Sequence, residues 1–279
     1  MPVNARRLIR KMRGGAQAHL IEADDGHFYV VKFRNNPQHR RVLVNEWLGN
    51  SFLRYLGITV PDTQIVAVSQ QFLNEFPDAS IQLGSRRLPP SPGWHFGSRF
   101  PGHPDRIAVY DFVPDALLER VENLRDFVAI LVFDKWAGNA DARQSVFLRA
   151  KLNEYVPGAV FQPNRVGFIA LMVDHGYLFN GPHWEYVDAP ASGLYFRPSV
   201  YRHIRSWSDF QPCLDRVLNF PEEIVDDTLR GLPTEWLNGD ADSLYTLLER
   251  LMNRRRKVPD LLRSCGRGAP NVFPEWRAD

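Results

Sequence analysis

His27-Phe28-Tyr29-Val30-Val31-Lys32-Phe33 is the stretch on which the fold reading turns. Alternate residues of a strand share a face, so Phe28, Val30 and Lys32 line one side and Tyr29, Val31 and Phe33 the other. Both faces are apolar apart from the lysine. An ammonium enclosed this way is expensive unless an anion pairs with it. Two anions suggest themselves: the carboxylate of Glu46 downstream, and a phosphate. The plainer alternative is a strand-end lysine reaching to solvent, since lysine is seldom buried.

Working outward, His19 to Ala23 reads as a second strand, joined to the first at Asp24-Asp25-Gly26, a turn that tolerates positive φ. Downstream, Arg40 to Leu56 reads as a helix. Val44, Trp47, Leu48, Phe52, Tyr55 and Leu56 recur at helical spacing, and Gly57 with Pro61 ends it. Glu46 shares a stripe with Val42, Leu43, Gly49, Asn50 and Leu53, so its carboxylate need not face water. A surface glutamate is the ordinary alternative. Ile65 to Val68 is a short strand candidate.

From Pro89 to Pro104 the chain is so rich in proline and glycine that a long loop or lid is predicted over residues 77–105. Arg106 to Val113 is strand-like and would cross between two halves of the molecule. Asn123 to Ala137 is apolar nearly all round, which predicts a helix buried in the larger half. Val146 to Leu148 and Gly167 to Val173 read as strands, and the chain beyond Arg205 as mainly helical. The predicted fold is α+β: a β-rich half with one helix (1–113) and a mostly helical half (114–279), meeting at a cleft.

The 279 residues are 44% hydrophobic and 24% charged, the profile of a soluble globular protein with room for a sizeable core. A formal charge of +2 is too small to argue for nucleic acid. The basic clusters Arg6 to Arg13 and Arg254 to Lys257 are the only features favouring that partner, and solvated faces explain them more simply. Cys213 and Cys265 have neither metal-ligand spacing nor a disulfide framework, so a reducing cytoplasm is expected. No signal peptide or membrane span is expected either. There is no H-E-x-x-H, no G-x-S-x-G, and no lysine of a phosphate-binding P-loop after Gly14-Gly15.

Two further stretches carry chemistry. Gly138-Asn139-Ala140-Asp141-Ala142-Arg143-Gln144-Ser145 follows the buried helix directly. Asp141 there is the candidate general base, and Gln144 or Asn139 offers an amide for a metal; an ordinary Asn-x-Asp turn is the alternative. Gly167-Phe168-Ile169-Ala170-Leu171-Met172-Val173 is a continuous apolar strand that runs into Asp174-His175-Gly176. A carboxylate at the mouth of such a strand can reach phosphates through Mg²⁺, a hard ion that takes oxygen ligands. Its alternative is a turn-starting aspartate. The order of the pieces is more specific than any one of them: hairpin lysine, helix glutamate, Asp loop, strand with Asp-His-Gly.

At these residues the chain resembles the HipA-like kinases, bacterial relatives of protein and lipid kinases. The resemblance rests on Gly14-Gly15-Ala16-Gln17, Val30-Val31-Lys32-Phe33, Asn45-Glu46-Trp47-Leu48, Tyr110-Asp111-Phe112, Phe133-Asp134-Lys135-Trp136 with Asn139-Ala140-Asp141, and Val173-Asp174-His175-Gly176. Pro233-x-x-Trp236 and the helix ending Arg254-Arg255-Arg256 also fit the compact branch of that family. It implies a two-lobed protein-kinase-like fold that uses Mg-ATP to phosphorylate serine or threonine of a protein. Gly14, Gly15, Ala16 and Gln17 would cover the phosphates, Lys32 paired with Glu46 would contact them, and Tyr110, Asp111 and Phe112 would present backbone to adenine. Asp141 would be the catalytic base, with Asp174 and Gln144 on the metal.

A protein substrate is then the expected partner, with a regulatory protein encoded nearby as a further candidate. Two departures matter. Such kinases place a metal-binding Asn five positions after the catalytic Asp, and here that residue is Val146. Some members silence themselves by phosphorylating a serine before the first strand, yet no Ser or Thr precedes Ser51. Two alternatives stay open: a small-molecule or lipid-headgroup kinase with the same site, where the 77–105 loop with His95, Ser98, Arg99 and Arg106 could shape either acceptor pocket, and a nucleotide-binding pseudokinase, which Val146 motivates.

Overall fold

The computed structural model describes residues 1–156, 164–267 and 271–277. It opens on β1 (Val3–Lys11), β2 (His19–Ala23) and β3 (Phe28–Lys32), each antiparallel to the next. The second and third strands and their turn match the sequence reading; β1 does not appear in it. Its pairing with β2 shifts register twice, between Ala5 and Arg7 and between Leu8 and Arg10. Such bulges break the alternation by which a strand is recognised. Val3, Ala5 and Leu8 pack against the barrel core all the same.

Helix α1 (Arg41–Leu56) follows, closed by Gly57 at φ 79. Then come β4 (Thr63–Val68), α2 (Gln70–Glu75), the hairpin β5 (Ile81–Leu83) with β6 (Arg86–Leu88), and β7 (Gly93–Arg99). The predicted lid over 77–105 is therefore corrected. β7 pairs with both β3 and β4 and closes the barrel β1-β2-β3-β7-β4. Its glycine is a packing requirement rather than a breaker. A Cβ on Gly97 would lie 2.6 Å from Val66 Cγ2, so a side chain is excluded where the barrel wall is tightest. His95 of this strand is wholly buried, which removes it from any acceptor pocket.

The chain crosses over at β8 (Val109–Tyr110), shorter than the strand expected over Arg106 to Val113. β8 pairs with β9 (Gln144–Lys151), which pairs with β10 (Val166–Val173), all antiparallel. Between them lie α3 (Asp115–Leu118) and α4 (Asp126–Ala137), the latter apolar on most sides and buried as expected. The remainder is helical: α5 (Cys213–Leu218), α6 (Glu222–Arg230), α7 (Thr234–Leu237), α8 (Ala241–Arg254) and α9 (Val258–Gly266).

Helix α1 shares its core with the helical half. Phe52 stands 6.1 Å from Trp136 of α4, and Trp136 stands 4.7 Å from Phe220. The Trp47 indole donates to the Thr228 carbonyl at 3.0 Å, and Arg41 makes two bonds to the Asp240 carboxylate. Glu46 is therefore carried on a helix clamped between barrel and helices. No helix among the described residues is long and apolar enough to cross a membrane.

Candidate active site

Lys32 ends β3, with 8% of its surface exposed. Its ammonium donates to Glu46 Oε1, and at 2.8 Å to Asp174 Oδ1. The solvent-reaching alternative for this lysine is thus excluded. Burial pulls the Lys32 pKa down, but Asp174 and Glu46 outweigh it and hold it above the ordinary lysine value. Asp174 is pulled down to about 2, chiefly by the charge of Lys32. Glu46 is pushed up by burial against the pull of Lys32, and the backbone amide of His175 supports its charge.

Asp174 reaches Lys32 from the far side because it leaves β10 in the left-handed region, at φ 60. That conformation is uncommon away from glycine and turns the carboxylate back into the cleft. Space for the turn comes from glycine on both sides. A Cβ on Gly176 would fall 2.6 Å from Val42, and one on Gly49 would fall 2.5 Å from Leu178 and 2.8 Å from His175.

A cleft of about 410 Å³ opens beside this triad. Gly14, Gly15 and Ala16 edge it, and Asp111, Asp141 and Gln144 line it from further along the chain. Val173, which precedes Asp174, is the register partner of Gln144, so amide and carboxylate sit at one end of the β9–β10 pair. Met12, Ala18 and Val30 line it from the barrel, and Val109, Val146 and Leu171 from β8–β10. Two apolar walls with polar groups at one end make a slot suited to a flat aromatic base and a charged tail.

The donors fit a hard divalent cation. Asp174 stays ionised across neutral pH, and the Gln144 side chain is exposed to the cleft. Among the described residues no cluster of three His, Cys, Asp or Glu forms a closed metal cage. A cation here would lean on one carboxylate, an amide and the oxygens of its substrate, which is how Mg²⁺ is commonly held.

A family model described as HipA-like kinase matches residues 6–258. The chain belongs to the HipA-like kinase family. No curated protein sequence gives a significant match. Among solved structures, the Golgi casein kinase is similar over 97% of this chain and 76% of that one, at 15% identity and a TM-score of 0.50. The same kinase with Mn/ADP bound matches over 98% and 75%, at 14% identity and TM-score 0.48. Hydra Fam20 with sugar matches over 95% and 85%, at 14% and 0.48. The first likeness speaks for a shared kinase fold and nothing finer. Together with the family, it supports phosphotransfer as the class of chemistry.

In this HipA-like kinase, one expected phosphate-covering side chain is engaged elsewhere. Gln17 turns away: its side chain bonds Lys11 and the backbone of Gln82 in β5. The side chains of Tyr110 and Phe112 point outward, 47% and 57% exposed, and Asp111 of that trio lines the cleft; outward side chains are compatible with a strand that offers its backbone to adenine. Asn139 is buried away from the cleft lining, and its side-chain oxygen, the atom a metal would take, accepts from the Asp141 amide at 3.1 Å. Of the residues named for an acceptor pocket, Ser98 and Arg99 line the cleft and Arg106 does not.

Several supporting residues were not assigned roles beforehand. Arg143 and Asp134 form an ion pair with neither side chain exposed. The guanidinium also donates to the Val173 carbonyl at 3.0 Å and faces His175 Nδ1 at 3.0 Å. Arginine is always protonated, so Nδ1 is the acceptor and His175 carries its proton on Nε2. Burial keeps that imidazole neutral. Asn45 donates to the carbonyls of Gly176, Leu178 and Gly181 and accepts from the Trp184 indole at 2.9 Å. The Asp-His-Gly segment is thus gripped by α1 on one side and by the Asp141 loop on the other. The motifs around Asn45 and Asp134 were visible in sequence; the partners were not.

Proposed function

We propose that this chain is a two-lobed, Mg-ATP-dependent protein kinase that phosphorylates a serine or threonine hydroxyl. The division falls near residue 113, with the 110–112 backbone at the adenine. The observation that carries the reading is the double contact of Lys32, to Glu46 in the amino-terminal half and to Asp174 in the carboxy-terminal half. A lysine held between two carboxylates at a cleft wall is oriented for phosphate, as in protein kinases.

In that reading Lys32 binds the α- and β-phosphates and Glu46 keeps its ammonium aimed at them. Magnesium, when bound, offsets phosphate charge between Asp174 and Gln144. Asp141 accepts the proton of the acceptor hydroxyl. That oxygen bonds to the γ-phosphorus as the bond to the β–γ bridging oxygen breaks, and ADP leaves with the electron pair. Gly14 to Ala16 close over the phosphates, and the two apolar walls exclude water from the base. A protein acceptor and a neighbouring regulatory protein are the partners we expect, in the cytoplasm, where Cys213 and Cys265 would stay free and buried.

One observation favours a second reading. Val146 lines the cleft where an amide is expected, so a nucleotide-binding pseudokinase fits the same geometry. A small-molecule kinase would use the same site: Ser98 and Arg99, named for either acceptor pocket, line the cleft, while His95 is buried in β7. Incubation with labelled ATP and Mg²⁺, followed by phosphoamino-acid analysis of the self-labelled chain and of a bacterial extract, separates them. Label on serine or threonine that is lost in Asp141→Ala supports the kinase. ATP binding without turnover selects the pseudokinase.

A further inference from the structure

The basic run from Arg6 to Arg13 is the sequence feature that the proposed function has not absorbed, and the fold divides it. Arg7 pairs with Glu22 at 2.8 Å. Lys11 bonds the Gln17 side chain and the Ser80 carbonyl. Arg10 and Arg13 instead line the cleft beside Gly14 and Gly15. Neither guanidinium has a hydrogen-bond or ion-pair partner among the described residues. The other cations of the cleft are committed: Lys32 to Glu46 and Asp174, and Arg99 to Asp62 and the ring of His27.

The metal donors leave charge to be met. A nucleoside triphosphate carries about four negative charges near neutral pH, and one divalent cation offsets about two of them. Gln144 and Asp174 provide for one cation. The next cleft-facing position of β9 after Gln144 is Val146, an alkyl group that ligates nothing.

We propose that Arg10 and Arg13 form a cationic clamp on the polyphosphate of the bound nucleotide, meeting the charge that a second metal ion would otherwise meet. Guanidinium forks match phosphate oxygens two at a time and stay charged at every relevant pH. The proposal rests on the nucleotide-binding reading above.

The test is calorimetric binding of ATP, ADP and adenosine to the full chain, with and without Mg²⁺. Wild type is compared with Arg10→Gln, Arg13→Gln and the double variant. Each substitution should weaken ATP by about tenfold, the usual worth of one charge-assisted bond. Adenosine affinity should stay unchanged, and the fall of ATP affinity with salt should flatten in the double variant. Equal ATP affinity in wild type and double variant overturns the clamp; if acceptor KM rises in that case, the arginines serve the acceptor instead. Equal losses for ATP and adenosine also overturn it, because they report damage to the slot. Wild type that binds no nucleotide overturns the nucleotide reading itself, so the wild-type arm separates the two failures.

Discussion

The Arg143 guanidinium meets the Asp134 carboxylate at 2.5 and 2.9 Å, with both side chains fully buried, and its free edge reaches the Val173 carbonyl just before Asp174. A charge pair this deep joins α4, the Asp141 loop and the Asp-His-Gly segment at one point.

Removing one partner of that pair leaves the other charge buried and alone. Asp134→Ala should cost about 3–5 kcal/mol of stability. Denaturant unfolding followed by tryptophan fluorescence reads this directly. A cost below about 1 kcal/mol, the surface-pair range, would show that the pair is solvated in solution.

Gly49 lies where α1 passes the segment after Asp174, and its missing side chain is part of the site. In Gly49→Ala the new methyl would sit 2.5 Å from Leu178 and 2.8 Å from His175. Overpacking of this kind costs about 1–3 kcal/mol. The displaced segment should also slow phosphotransfer while leaving the adenosine affinity unchanged. A variant with wild-type stability and rate would mean that α1 yields freely there.

The metal donors predict a reciprocal pair of variants. Gln144→Ala should weaken the Mg²⁺ dependence of phosphotransfer by about tenfold, the lower end of what metal-site partners contribute. Val146→Asn, which adds an amide one cleft-facing position along, should recover part of that loss in the Gln144→Ala background. Magnesium titrations of initial rate check both; an unchanged titration in Gln144→Ala removes this amide from the metal.

Acid should loosen the barrel before it silences Asp174. His95 accepts from the Arg34 amide at 2.9 Å and is pushed down to about 3 by burial, and His19 to about 4. Both must stay neutral in the fold yet charge readily once unfolded. Their stabilisation is full above pH 6.5 and falls as pH drops from there toward 4, by about 1.4 kcal/mol per unit for each. Asp174 has the opposite chemistry but the same sign: its depressed pKa gives a contribution that is full above about 4 and lost toward about 2. Melting temperature against pH should therefore decline first between 6.5 and 4, and His95→Gln should reduce that decline. A flat profile down to pH 4 would contradict the burial of both rings.

What the sequence disclosed follows from how local each signal is. β3 is announced by alternation, α1 by helical spacing and β10 by an unbroken apolar run, whereas Lys32, Glu46 and Asp174 were legible through their motifs and the order of these elements. β1 was hidden by its bulges and its arginines, and β7 by its flanking prolines and by Gly97, which its tight wall requires. Gln17 illustrates another limit. A motif places a residue near a site, but which way its side chain turns depends on neighbours such as Gln82 that lie far away in sequence. Arg143 is the extreme case, since a loop arginine gives no local sign that it will be buried.

The account stands on Lys32 and Asp174 serving one nucleotide. The direct measurement is transfer of γ-labelled phosphate from Mg-ATP by wild type, Lys32→Met and Asp174→Asn, each shown folded by circular dichroism. The account predicts transfer by wild type and a loss of about 10²-fold or more in both variants, the scale of removing one group that stabilises transition-state charge. Wild-type rates in a folded Asp174→Asn variant would contradict it.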